Sequence, residues 1–212
     1  MPEVTKIVNQ IMDINTYVVW YEGENEALVI DPSFDVLKTE AFLEQESLKV
    51  TAILLTHGHF DHIAGVERLR KDTGAPVYIH EDDAYMLGDP YGNFGKQFGL
   101  DIITAPAEHL LKQEIAEIGR FSVKVLSTPG HTNGSVCYFI DEDMFTGDTL
   151  FNLGIGRTDL DCSSWDKMKA SLEKIALIEG DYNVYPGHGT STTLKYELDN
   201  NPFLGDGKWS LY

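Results

Sequence analysis

The chain has 212 residues, of which 42% are hydrophobic, enough for one sizeable core, and a single unit over residues 1–212 is expected. Asp plus Glu number 34 against 16 Lys plus Arg, and the formal charge of -18 disfavours nucleic acid and anionic membranes as partners. Met1 to Lys6 is polar, and no apolar run reaches the roughly 18 residues of a membrane span, so neither an export signal nor a membrane helix is expected, and a cytoplasmic location follows.

In chain order, Ile14 to Tyr21 and Ala27 to Ile30 are rich in β-branched and aromatic residues and read as antiparallel strands around a Glu22-Gly23-Glu24-Asn25 turn. Asp31 follows at the strand end, where it either supports a metal-binding histidine from behind or caps the next helix. Val36 to Leu48 places Leu37, Phe42 and Leu43 near helical spacing, and Val50 to Leu55 reads as a buried strand. The string THGHFDH comes next, with His57, His59, Asp61 and His62 within six residues. Imidazole nitrogens and carboxylate oxygens are ligands for zinc or iron, and a tight loop holding four of them gathers them at little cost in chain entropy. Ile63, Val66 and Leu69 then mark an amphipathic helix that starts at His62 and closes at Gly74. Val77 to Ile79 is a short strand, and His80 after it reads as structural or superficial. From Leu87 to Pro106 glycines and prolines alternate with Tyr91, Phe94 and Phe98; this long loop either lines a substrate or simply packs down on its own aromatics.

The second half sets a ligand-type residue after each of three apolar runs, and a glycine precedes each of them. Val123 to Leu126 leads to Gly130-His131, Met144 to Thr146 to Gly147-Asp148, and Val184 to Pro186 to Gly187-His188. Glycine lets the backbone turn and approach closely, so these side chains can share one cleft at a sheet edge. His109 has no such context. Cys137 lies in a strand-like run and Cys162 in a polar loop; they form no framework and read as structural in a reduced compartment. A helix with Trp165, Met168, Leu172 and Ile175 on one face and a short helix ending near Pro202 complete the chain. Five histidines and two aspartates exceed what one tetrahedral metal uses, so two metals are implied, with Asp148 the natural bridge.

The strings THGHFDH, TPGHTNGSV, FTGDTLF and PGHGTSTT, in this order, resemble the metallo-beta-lactamase superfamily, and most closely its short bacterial glyoxalase II-like (hydroxyacylglutathione hydrolase-like) members. The resemblance implies an α/β fold, a four-layer αββα sandwich. It implies that His57, His59 and His131 hold one metal and Asp61, His62 and His188 the second, that Asp148 is shared, and that Asp31 supports the set. The metals implied are two divalent ions, Zn2+ foremost, with Fe or Mn also compatible. Secreted beta-lactam hydrolases carry an export signal and a cysteine or serine in place of the bridging aspartate, so antibiotic hydrolysis is not expected. RNA-cutting relatives carry basic elements, and flavodiiron relatives have a glutamate where His59 stands; neither feature is present. The separate C-terminal helical domain with which longer glyoxalase II enzymes bind glutathione is not expected either.

The reaction implied is hydrolysis of a small-molecule substrate, a hydroxyacyl thioester, by a metal-bound hydroxide, with Asp61 and Asp148 in the catalytic set. No spare histidine offers itself as a general acid, which suits a thiol leaving group with a pKa of about 8.5 better than an amide nitrogen. Arg157, in a Gly-Ile-Gly-Arg loop after the bridge, either meets a substrate carboxylate or forms a structural ion pair. A lactonase of the same fold and a mononuclear iron, persulfide-handling protein are the alternatives.

Overall fold

The computed structural model describes residues 1–112 and 115–204; the final residues of the unit expected over 1–212 lie outside them. Two six-stranded sheets form its centre. The first contains β1 (Glu3–Val8), β2 (Asn15–Trp20), β3 (Glu26–Ile30), β4 (Lys49–Leu54), β5 (Val77–His80) and β6 (His109–Leu111) in sequential order. Its first two pairings are antiparallel and the remaining three parallel. Crossovers through α1 (Val36–Gln45), and through the single turn α2 (Phe60–Ile63) with α3 (Val66–Thr73), make the parallel part possible. The second sheet has the order β14 (Thr192–Thr193), β13 (Asn183–Pro186), β10 (Asp143–Gly147), β9 (Val136–Ile140), β8 (Phe121–Ser127), β7 (Ile115–Ile118). A small ribbon, β11 (Leu150–Phe151) and β12 (Gly154–Ile155), follows the β10 end, and α4 (Trp165–Ala176) and α5 (Leu194–Asn200) complete the described elements.

Side-chain alternation builds four layers from these elements. Along β2, Tyr17 and Val19 point between the sheets while Val18 points outward, and along β4 Ala52 and Leu54 alternate in the same way with Ile53 and Leu55. The outward set packs under α1 and α3 with Leu43, Val66 and Leu69. Phe121, Val123, Val125, Tyr138 and Phe145 meet the inward set from the second sheet, whose other face packs Cys137, Phe139 and Met144 against Met168, Leu172 and Ile175 of α4. This is the expected αββα order. Two buried tyrosines span the inter-sheet layer and end in hydrogen bonds, Tyr138 Oη donating to Leu55 O (2.6 Å) and Tyr17 Oη to Pro186 O (2.7 Å). Each fixes a strand end next to a ligand-type residue.

Some sequence expectations change in detail. β1 begins within Met1 to Lys6, a stretch read only as polar, and runs on to Val8. Leu37, assigned to the apolar stripe of α1, is 61% exposed, because α1 buries Val36, Thr39 and Leu43 instead. The helix expected to run on from His62 breaks at Ala64–Gly65, where Gly65 N–H donates to Pro32 O (2.9 Å), so His62 belongs to the preceding single turn. The Leu87 to Pro106 stretch holds a 3-10 turn over Gly95–Phe98 and is pinned by the buried Asn93, whose amide donates to Met86 O and Ile102 O (3.0 and 2.9 Å).

Candidate metal centre

β4, β8, β10 and β13 all end on the same edge of the sandwich. Beyond them come the loop with His57 and His59, α2 with Asp61 and His62, the turn with His131, then Asp148 and His188. All seven residues predicted to ligate metal are brought together there, buried or nearly so except for the half-buried His188. Their donor atoms form groups within 4.8 Å of one another: His57 with His59 and His131, Asp61 with His62 and His188, and Asp148 with His57 and His62. Asp148 Oδ1 lies 3.4 Å from His62 Nε2, and Oδ2 lies 3.4 Å from His131 Nε2 and 3.7 Å from His188 Nε2. One carboxylate therefore touches both sets.

The two glycines before Asp148 and His188 are required by this closeness. Gly147 has φ +47°, and a Cβ there would strike the Thr56 side chain; a Cβ on Gly187 would strike Asp148 Oδ1 and His62 Cε1.

Every histidine of the cluster has one ring nitrogen held from outside and the other turned inward. Asp31 holds His62 directly and His57 through Thr56. Its Oδ1 accepts from Thr56 N–H (2.8 Å), and its Oδ2 accepts from Thr56 Oγ1 (2.6 Å) and from His62 Nδ1 (2.8 Å). With its proton committed to Asp31, Thr56 Oγ1 accepts from His57 Nδ1 (3.1 Å). His131 Nδ1 donates to Arg157 O (3.0 Å) and His188 Nδ1 to Met12 O (3.0 Å), while His59 Nε2 faces Cys162 Sγ (3.5 Å). Such outer partners fix the tautomer and aim the free lone pair of a metal-binding imidazole. Asp31 thus takes the supporting position; the N-cap of α1 is Asp35.

Burial first, and then the crowding of other imidazoles, holds His57 well below the usual histidine range and pushes His59 down to about 3. Both are neutral and ligand-ready at physiological pH. At His62 burial also pulls down, but the carboxylates of Asp31, Asp148 and Asp61 outweigh it and hold the ring above its ordinary value. Asp61 and Asp148 are held low despite burial, His62 being the largest opposing influence on both, so both are ionised. Buried ionised carboxylates beside the neutral His57 and His59, with His62 drawn towards its charged form by those same carboxylates, favour a cation between them. The donor set fits one: His57 Nε2, His62 Nε2 and Asp148 Oδ1 are buried without a hydrogen-bond partner, and all three point into the cluster.

Arg157 stands at the rim of the cleft, with its guanidinium held by Asp159 (Nε–Oδ1 2.7 Å, Nη2–Oδ2 2.9 Å), the ion-pair arrangement of the two weighed from sequence. Two further residues carry no sequence signal for this place. Cys162, expected to be merely structural in its loop, lies against His59. Asp83, in the acidic run Glu81-Asp82-Asp83, is fully buried and accepts from Gly58 N–H (3.0 Å), Thr132 Oγ1 (2.6 Å) and Gly134 N–H (2.7 Å), tying the His57–His59 loop to the His131 turn. His80 is buried beside Asp82 N–H and Ser127, and His109 stacks on Tyr78, both away from the cluster. The cleft above the cluster is a cavity of about 190 Å³ with Met12, Phe94, Phe98 and Leu160 on its walls.

Residues 11–188 match the metallo-beta-lactamase superfamily. The chain is 37% identical over 187 residues to the probable metallo-hydrolase YqgX of Bacillus subtilis, covering 86% of this chain and 89% of that protein. It is 31% identical over 196 residues to the hydroxyacylglutathione hydrolase GloC of Haemophilus influenzae, covering 90% and 92%. Among solved structures it is similar to the BLEG-1 B3 metallo-beta-lactamase (TM-score 0.90, 39% identity, 95% of this chain and 99% of that one) and to TTHA1623 in a di-iron-bound form (TM-score 0.83, 31%, 94% and 100%). With these likenesses covering nearly all of a chain whose strand ends gather five histidines and two aspartates, the protein belongs to the metallo-beta-lactamase superfamily and is a metallo-hydrolase of that fold.

Proposed function

We propose that the centre binds two divalent metal ions and hydrolyses a hydroxyacyl thioester, in the manner of the glyoxalase II-like members of the superfamily. His57, His59 and His131 would hold one ion, Asp61, His62 and His188 the other, and Asp148 both. The observation that carries this reading is Asp148, whose two oxygens each lie 3.4 Å from a histidine of a different set. Zinc suits the donors, and iron or manganese is accepted by the same residue types. When bound, such ions lower the pKa of water towards neutrality and polarise the carbonyl to be attacked.

The chain's own residues orient and discriminate. Asp61 and Asp148 face the cleft, where their carboxylates hold the attacking water by its protons. In the net reaction the carbonyl carbon gains the water oxygen, the C–S bond breaks, the water's two protons pass to solvent as the product acid ionises, and the thiolate takes one proton back from solvent. No ring of the cluster is spare to protonate a leaving group, since each is held from outside as well as turned to the centre. A thiol with a pKa of about 8.5 leaves without such help, whereas an amide nitrogen needs it. The likeness to a hydroxyacylglutathione hydrolase supports the same choice.

A second reading, hydrolysis of a beta-lactam, is favoured by the 39% identity to BLEG-1. The two separate in one experiment: kcat/KM for S-lactoylglutathione or a similar thioester, a lactone and a beta-lactam on protein of measured metal content. The thioester is expected to be fastest and the beta-lactam slowest. A lactone or beta-lactam that outpaces every thioester by about tenfold, a transition-state preference of about 1.4 kcal/mol, removes the thioester assignment.

A further inference from the structure

The walls of the cleft bear on which thiol leaves. Met12, Phe94, Phe98 and Leu160 make the surface beside the cluster apolar, and Phe98 is held in place by stacking on Phe60 (ring centroids 4.9 Å). Phe94 stands edge-on to His59 (5.2 Å). Past Phe94 and Gln97 the cleft continues into a groove bounded by Tyr85, Tyr91 and Asp161. Among the described residues, Arg157 is the one Lys or Arg that lines either space. Asp159 already occupies its Nε and Nη2 edges, the face a substrate carboxylate would use. Two nearby lysines are also engaged: Lys96 by Asp101, and Lys167 by Asn133 Oδ1 (2.7 Å). Asp61 and Asp148 belong to the metal-holding set, and Asp161 is the carboxylate outside it that lines the groove, on a chain of charge -18.

An anionic leaving thiol would meet Asp161 in the groove and an arginine already paired with Asp159, while an uncharged one would bury its carbon surface against Phe94, Phe98 and Leu160. Building on the thioester reading above, we infer that the natural leaving group is an uncharged thiol with apolar or aromatic surface, and that glutathione, with its two carboxylates, is a poor fit. Phe94 shapes the thiol side of the cleft, and Asp159 acts against anions by occupying Arg157.

The test holds the acyl group constant. Lactoyl thioesters of N-acetylcysteamine and of glutathione are compared by kcat/KM on metal-quantified, full-length protein at low and high salt, with a beta-lactam alongside. The neutral ester is expected to be favoured by about tenfold at low salt, through KM, and the margin should shrink as salt screens the carboxylates. Asp159→Asn should narrow the ratio by improving the glutathione ester, and Phe94→Ala by worsening the neutral one. A ratio of about threefold or less in the unmodified protein overturns the inference while leaving thioester hydrolysis intact. If both esters are slower than the beta-lactam, the thioester reading itself fails and takes this inference with it. A ratio that neither substitution narrows also overturns it, because the preference would then arise elsewhere.

Discussion

Asp148 and Asp31 show how much of the centre rests on single carboxylates. Asp148 has an oxygen for each donor set, and a neutral amide in its place has one weak acceptor and cannot hold two cations together. Asp148→Asn is therefore expected to lower metal content to about one ion per chain and to remove nearly all turnover, as read by elemental analysis beside the substrate panel. A variant that keeps two ions and full activity rules out the shared carboxylate. The cysteines diverge at this same scale. Burial pushes the Cys137 thiol up to about 12, so at pH 8 only about one molecule in ten thousand carries its thiolate. Cys162 is half-buried and reachable from the groove beside Phe94. A thiol reagent at pH 8 should count one cysteine in the native protein and two after denaturation; two fast-reacting native thiols contradict the burial of Cys137. The seven ligand-type residues were legible because four of them share one short loop and the other three each follow an apolar run and a glycine. Cys162 and Asp83 were not, because each reaches the centre through tertiary packing, and Asp83 sits in a run that reads as surface acid.

Elements with a strong period were readable and those without one were not. β2, β4, β8, β9, β10 and β13 announce themselves by branched and aromatic runs, and α4 by its apolar face. β6, β11, β12 and β14 are two or three residues long, too short for any alternation to show. The break between α2 and α3 was hidden for a different reason: it depends on Pro32 meeting Gly65 across more than thirty residues of chain. Loop placement at the centre likewise depends on a distant element, the 3-10 segment Glu81–Leu87, through Asp83. Asp83→Ala would leave Gly58 N–H and Gly134 N–H without their acceptor in a buried place, at a cost of about 1–3 kcal/mol for each, while Thr132 Oγ1 keeps Ser135 Oγ as a partner. Chemical denaturation should show a loss of about 2 kcal/mol or more, and the metal affinity of the folded fraction should fall, because the His57–His59 loop and the His131 turn lose their tie. Glutamate at the same position restores the charge but not the length, so it should recover little of either. An alanine variant of unchanged stability and metal affinity shows that the tie is dispensable.

At the scale of the whole molecule the balance is between the sandwich, which is built from apolar layers, and a charged cluster set into its edge. Two divalent ions would offset four of the chain's eighteen excess negative charges, and would do so at Asp61 and Asp148, two buried carboxylates. They would also satisfy the inward atoms that have no hydrogen-bond partner, His57 Nε2, His62 Nε2 and Asp148 Oδ1. Ions that bind the folded chain and not the unfolded one stabilise it by mass action, about 4 kcal/mol for a site at a thousand times its dissociation constant. For a chain of this size each kcal/mol moves the melting temperature by about 2–4 °C. Exhaustive chelation should therefore lower the melting temperature by about 8–16 °C or more, and titrating zinc, iron or manganese back should restore it, with a midpoint that reports affinity and an endpoint that reports stoichiometry. Asp148→Asn should show a smaller restoration, ending near one equivalent. The sheets themselves should survive, since their layers close without the centre, and far-ultraviolet circular dichroism of the chelated protein below its melting temperature should match that of the loaded one. A melting temperature indifferent to chelation and to all three metals would mean that the cluster holds its shape without ions, and the dinuclear reading would be lost with it.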